Sequence, residues 1–238
     1  MKKGITMIMG LMLFSPVAAV FGQAESQEKS AWEQLIAQRN PRRPIEFGYE
    51  SKLIAVKTVD TEKLLNVLNL EKMEKANWVE GTIKGNQGYV FVLPPIEGWI
   101  LISGWDIPTP YSSDGLEASK KLLNQLSKNF GEAQVFGTQR AGNAALWMKS
   151  VNGVVERLYC LAYETSNIEG KPTPVEEPWT LFDSNSPEAD TDEYWESALS
   201  PDPETVLEVA ASWSINPMNL VKYSGVGEYG YIGILRKK

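Results

Sequence analysis

Apolar positions fall at helical spacing in four stretches of the chain and in strand-like runs in seven others. Ser30-Ala31-Trp32-Glu33 reads as a capping box, in which the serine oxygen and the glutamate carboxylate each satisfy a backbone N–H at a helix start. It predicts a short helix with Trp32, Leu35 and Ile36 inward, ended by the stiff connector Asn40-Pro41-Arg42-Arg43-Pro44. Asp60 predicts a second helix start, with Leu64, Leu65 and Leu68 on one face. Asp114 and Glu117 open a third, with Leu116, Leu122, Leu123, Leu126 and Phe130 inward and Gly131 at the left-handed position after its end. Asp202-Pro203-Glu204 opens the fourth. The aspartate caps, the proline stands where no N–H is needed, and the glutamate lies near the positive end of the helix dipole. Val206, Val209, Ala210 and Trp213 then line one apolar face. The strand candidates are 78–84, 89–93, 99–103, 134–140, 144–149, 154–163 and a Gly- and Tyr-rich run over 225–235. Asn86-Gln87-Gly88, Pro94-Pro95-Ile96-Glu97-Gly98 and Asn152-Gly153 supply turns between them.

Two of these stretches read as one unit used twice. Lys63 to Leu68 matches Lys121 to Leu126, and Gly81-Thr82 matches Gly137-Thr138. The expected fold is α+β: a helix plus a three-strand antiparallel meander, duplicated, forming one sheet with helices packed on one face. The expected organisation is a signal peptide over 1–24, an N-terminal helix and linker over 25–59, a duplicated core over 60–164, and an acidic Pro-rich segment, helix and terminal strand over 165–238.

The leader reading rests on Lys2 and Lys3, an apolar stretch from Ile5 to Phe14, and small residues from Val17 to Gly22. That charge–apolar–small layout belongs to secretory signal peptides, and cleavage after Ala19, Gly22 or Ala24 fits the small-residue requirement. An uncleaved anchor is the alternative; Pro16 and the short apolar core argue against it, because a span needs about 20 apolar residues. The expected compartment is therefore the periplasm or the exterior, with membrane contact only through the leader before cleavage.

Composition narrows the chemistry. The chain has 23 Lys+Arg, 30 Asp+Glu, one Cys and no His, for a net charge of −7 that becomes −9 once Lys2 and Lys3 leave with the leader. An acidic balance argues against nucleic acid as a partner, since binding to phosphates needs clustered Lys and Arg. Without an imidazole there is no Ser-His-Asp or Cys-His nucleophile system and no His-ligated zinc. One thiol supports neither an internal disulfide nor an iron–sulfur cluster. Cys160 shares a strand face with Leu158 and Ala162, which predicts a buried structural thiol. No cofactor is expected.

From Glu164 to Glu208 the chain carries 13 acids, the single base Lys171 and recurrent prolines, which predicts an irregular segment wrapping or leaving the core. Asp183, Asn185, Asp190, Asp192 and Glu193 cluster oxygen ligands there and are weak calcium candidates, since the glycine and spaced glutamate of an EF-hand are missing. Gly225-Val226-Gly227-Glu228-Tyr229-Gly230 matches GxGxxG, but its flanks favour a strand where a dinucleotide site needs a following helix. Of the eight tryptophans, Trp179 and Trp195 lie in the acidic segment and are the partner-binding candidates; pinning that segment to the core is the competing role. Glu80, Glu97, Asp106, Glu156 and Glu164 border strands, and no spacing selects a catalytic pair from them.

Three segments carry a resemblance: Gly98 to Gly104 after Pro94-Pro95, Phe130 to Arg140, and Val206 to Pro217 with Ala211-Ser212-Trp213-Ser214. They resemble an uncharacterised bacterial family with PPxxGW, FGExQxFxTxR and VxxVAxxWS segments, over roughly Trp78 to Leu220. The resemblance implies no activity. The family pattern often has histidines where this chain has Gln139 and Ala145, so any imidazole chemistry of relatives is lost here. The expected function is a non-catalytic exported protein that binds a protein partner, in its sharpest form an immunity-type protein against a basic toxin. The alternative is a carboxylate-based envelope hydrolase or a glycan-binding module.

Overall fold

Strand runs such as Lys52–Val56 and Glu132–Gln139 send alternate side chains to opposite faces, and in this chain both sets are mostly buried. The computed structural model describes residues 30–236; the leader, with Ala19, Gly22 and Ala24, lies outside the described residues. The strands are β1 (Lys52–Val56), β2 (Glu71–Asn77), β3 (Val90–Val92), β4 (Ile100–Ser103), β5 (Glu132–Gln139), β6 (Ala144–Val151), β7 (Val154–Ala162), β8 (Thr165–Glu169) and β9 (Tyr229–Ile234). The helices are α1 (Ala31–Ala37), α2 (Thr61–Leu68), α3 (Trp78–Gly85), α4 (Ser113–Phe130), α5 (Asp192–Ser197) and α6 (Pro203–Trp213). The strands form one antiparallel sheet in the order β2-β9-β3-β4-β1-β5-β6-β7-β8, and the fold is α+β. No helix among the described residues is long and apolar enough to cross a membrane.

The two faces hold two cores. On one, Ile54, Ile102, Val135 and Met148 pack with Leu64 and Leu68 of α2 and Leu123 and Leu126 of α4. On the other, the register sets Leu53, Phe136, Trp147 and Tyr159 side by side across four strands, and the last two rings stack at 4.6 Å. Trp78, Phe182, Val206, Val209 and Leu220 cover that row. Helices therefore lie on both faces, not on one as the sequence suggested.

A buried ion pair fastens the acidic segment to this second face. Arg157 Nη2 and Nε lie 2.6 and 2.8 Å from Glu176 Oε1, and Trp147 Nε1 donates to the same oxygen at 2.8 Å. Thr173 donates its N–H and hydroxyl to Glu176 Oε2 at 2.9 and 2.7 Å, while Arg157 Nη1 donates to the carbonyls of Glu169 and Gly170. Both acid oxygens are saturated, which is what keeps a buried charge tolerable.

Four further sequence expectations change. Residues 78–84 are helix, not strand: Asn77 Oδ1 accepts from Glu80 N at 3.0 Å, Glu80 Oε2 accepts from Asn77 N at 3.2 Å, and the capping box opens α3. The second expected unit is present as α4 followed by β5-β6-β7, but α2 leads into β2 and α3, and β9 takes the place beside β3. The third helix is capped by Ser112, which accepts from Gly115 N at 3.2 Å, two residues before Asp114. The stretch 25–59 also contributes β1, hydrogen-bonded between β4 and β5 in the middle of the sheet.

Candidate functional site

Strands of an antiparallel sheet begin and end alternately along each rim. At one rim β4 ends at Ser103, β1 begins at Lys52, β5 ends at Gln139, β6 begins at Ala144 and β7 ends at Ala162. Two hollows open along this rim. The first, about 340 Å³, is lined by Trp32, Tyr49, Glu50, Lys52, Thr82 and Trp105 among others. The second, about 510 Å³, is lined by Arg140, Asn143, Tyr163, Glu164 and Trp195 among others. An exposed ion pair, Arg140 Nε to Glu50 Oε1 at 3.8 Å, bridges them into one track.

The rings along the track are half exposed yet fixed. Tyr163 is 62% exposed; its ring lies on Gly142, where an added Cβ would meet it at 2.8 Å. Trp195, 44% exposed, stacks on buried Phe182 at 4.1 Å. Trp105, 47% exposed, has Lys52 Nζ 4.9 Å from its ring centre and its carbonyl accepts from that amine at 2.9 Å. Tyr49 donates its hydroxyl to Glu204 Oε1 at 2.6 Å. Backbone strain concentrates here too. Glu50, Asn143, Tyr163 and Glu164 all hold positive φ, costly for non-glycine residues and held by the surrounding contacts.

The polar chemistry of the track is mixed. Burial pushes the Lys52 amine below its ordinary value, with Asp106 pulling the other way. The hydrogen bond to Glu204 raises the Tyr49 phenol. Thr82 is buried in the wall of the first hollow, and among the described residues its Oγ1 has no hydrogen-bond partner.

The sequence candidates scatter. Trp195 stands in the track, whereas Trp179 is half-buried with its ring edge-on to Trp147 at 6.5 Å and pins the acidic segment. Of the calcium candidates, Asp183 Oδ1 accepts from Ser166 Oγ at 2.8 Å and from Asn185 N at 2.9 Å, in a local turn. Asp190 is exposed, and Asp192 and Glu193 sit exposed in the first turn of α5. Among the described residues no group of three His, Cys, Asp or Glu side chains is arranged to hold a metal ion. Cys160 is buried, and burial pushes its thiol up to about 12. Trp32, expected inward, is 39% exposed, and α1 has no buried residue. Tyr49, Trp105, Tyr163 and Arg140 carried no distinguishing signal in the sequence, because only the sheet order brings 49, 105 and 163 to one rim. The positive φ of Tyr163 and Glu164 is a backbone fact with no residue-type marker. Comparison of the chain with protein-family models, with curated proteins and with solved structures finds no match.

Proposed function

We propose that this chain is an exported, non-catalytic binding protein of the cell envelope, and that the aromatic track is its binding site. Export rests on the charge–apolar–small layout of the leader. The binding role rests on one observation: five aromatic rings, Trp32, Tyr49, Trp105, Tyr163 and Trp195, stand 39–62% exposed along a single rim. Clustered exposed rings forgo burial worth about 25 cal/mol per Å², and such clusters mark interaction surfaces. The absence of histidine supports binding over catalysis, as does the commitment of the Lys52 amine to the Trp105 carbonyl.

A second reading, an immunity-type role toward a basic protein, is favoured by the exposed acids Asp190, Asp192 and Glu193 close in sequence to Trp195. Both readings use the track, so one experiment addresses them. The mature chain is immobilised and challenged with separated glycan, protein and lipid fractions of the envelope. The native chain is expected to retain one fraction, and Trp105→Ala with Trp195→Ala to lose about tenfold or more of that retention, about 1.4 kcal/mol. Equal retention by native and double variant, with matching thermal melts, would contradict the proposal.

A further inference from the structure

We infer that the ligand of this track is a linear, uncharged oligosaccharide lying along the rim of the sheet. The inference rests on the binding role proposed above and names its ligand class.

Four observations point to a glycan. First, the rings are presented as fixed platforms. Trp195 is backed by Phe182 and Tyr163 by Gly142, so each offers surface without a socket behind it. A pyranose carries weakly positive C–H groups on one face, which suit the negative face of an aromatic ring. Peptide side chains instead fill pockets. Second, no sheet edge runs along the track. The edges are β2 and β8, and the track crosses the ends of the strands, so a peptide has no ladder to extend. Third, the lining carries donors and acceptors in hydroxyl-binding variety: Asn86, Asn143 and the exposed Arg140 and Glu50 side chains. Fourth, charge nearly cancels. Lys52 and Arg140 stand against Glu46, Glu50 and Glu164 in the lining, a small negative excess within an acidic molecule, which disfavours polyanions.

Length follows from the sheet. Trp105 follows β4 and Tyr163 follows β7, four strand spacings apart, or about 19 Å at about 4.8 Å each. That distance takes roughly three or four linked sugar rings, with platforms at both ends.

The test is calorimetric titration of the mature chain with chitotetraose, cellotetraose and maltotetraose, each beside its monosaccharide. At least one tetrasaccharide is expected to bind about tenfold or more tighter than its monosaccharide. Trp105→Ala and Trp195→Ala, at opposite ends, should each weaken it about tenfold, and Trp195→Phe should recover most of the loss because it keeps a ring. Thermal melts of each variant separate lost binding from lost folding. No binding of any tetrasaccharide at millimolar concentration overturns the inference. So does binding that ignores both tryptophans. If a lysine-rich decapeptide binds instead and both variants abolish it, the glycan inference falls while the track remains the binding site.

Discussion

Glu176 shows how a single residue decides whether the acidic segment belongs to the molecule. Burial alone would raise its carboxyl, but hydrogen bonds from Arg157, Thr173 and Trp147 outweigh that and hold it below the ordinary value of 4.5. A carboxyl lowered in the folded state contributes stability above its unfolded value and loses it as pH falls through the lower folded one. Glu176→Gln leaves the Arg157 charge buried beside a neutral group, at a cost of about 3–5 kcal/mol near neutrality. Chemical denaturation at several pH values should show that gap narrowing as pH falls below 4.5, where the carboxyl of the unfolded chain takes up a proton that the folded one, held lower, still resists. A gap unchanged between neutral and acid solution would contradict this account of the pair. Nothing in the sequence marks Glu176 among 13 acids of its segment; the pairing depends on Arg157 and Trp147 meeting it across the fold.

At the scale of elements, what local chemistry controls was readable and what distant contacts control was not. Ser30 and Glu33, Asp60, and Asp202 with Pro203 cap their helices as the sequence suggests, because capping involves only neighbours within one turn. Asn152-Gly153 turns the β6–β7 hairpin with both residues at positive φ. Helix α3 departs from the strand expected over 78–84, where Val79, Thr82 and Ile83 favour strands while two glycines weaken any helix. The Asn77–Glu80 capping box was the available signal, and burial of Trp78 against Phe91 completes the case. The two glycines serve different ends. At Gly81 an added Cβ would lie 2.4 Å from the Phe91 ring, so Gly81→Ala should destabilise by about 1–3 kcal/mol through overpacking. At Gly85 the nearest atom is 3.5 Å away, so Gly85→Ala should be neutral or stabilise by up to about 1 kcal/mol. Urea denaturation of both variants tests the contrast, and equal effects would contradict the packing described for α3.

At the scale of the whole molecule, the sheet order makes the site. Strands β1 and β5 pair across about 80 residues of chain, and β9 enters between β2 and β3 from the far end of the sequence. No local pattern encodes such pairings, so Trp195 could be singled out from its surroundings in the sequence while Tyr49, Trp105 and Tyr163 could not be grouped with it. The same order separates the eight tryptophans into those that line the rim and those that hold the core. That separation gives the most direct measurement: indole N–H signals in a proton–nitrogen NMR spectrum, assigned by single Trp→Phe variants and followed during addition of chitotetraose, cellotetraose or maltotetraose. The account predicts that Trp32, Trp105 and Trp195 shift in parallel. Trp78, whose indole donates to the Gly227 carbonyl at 2.9 Å, and Trp147, which donates to Glu176, should stay in place. Signals that stay still throughout all three titrations, or shifts confined to Trp78 and Trp147, would contradict it.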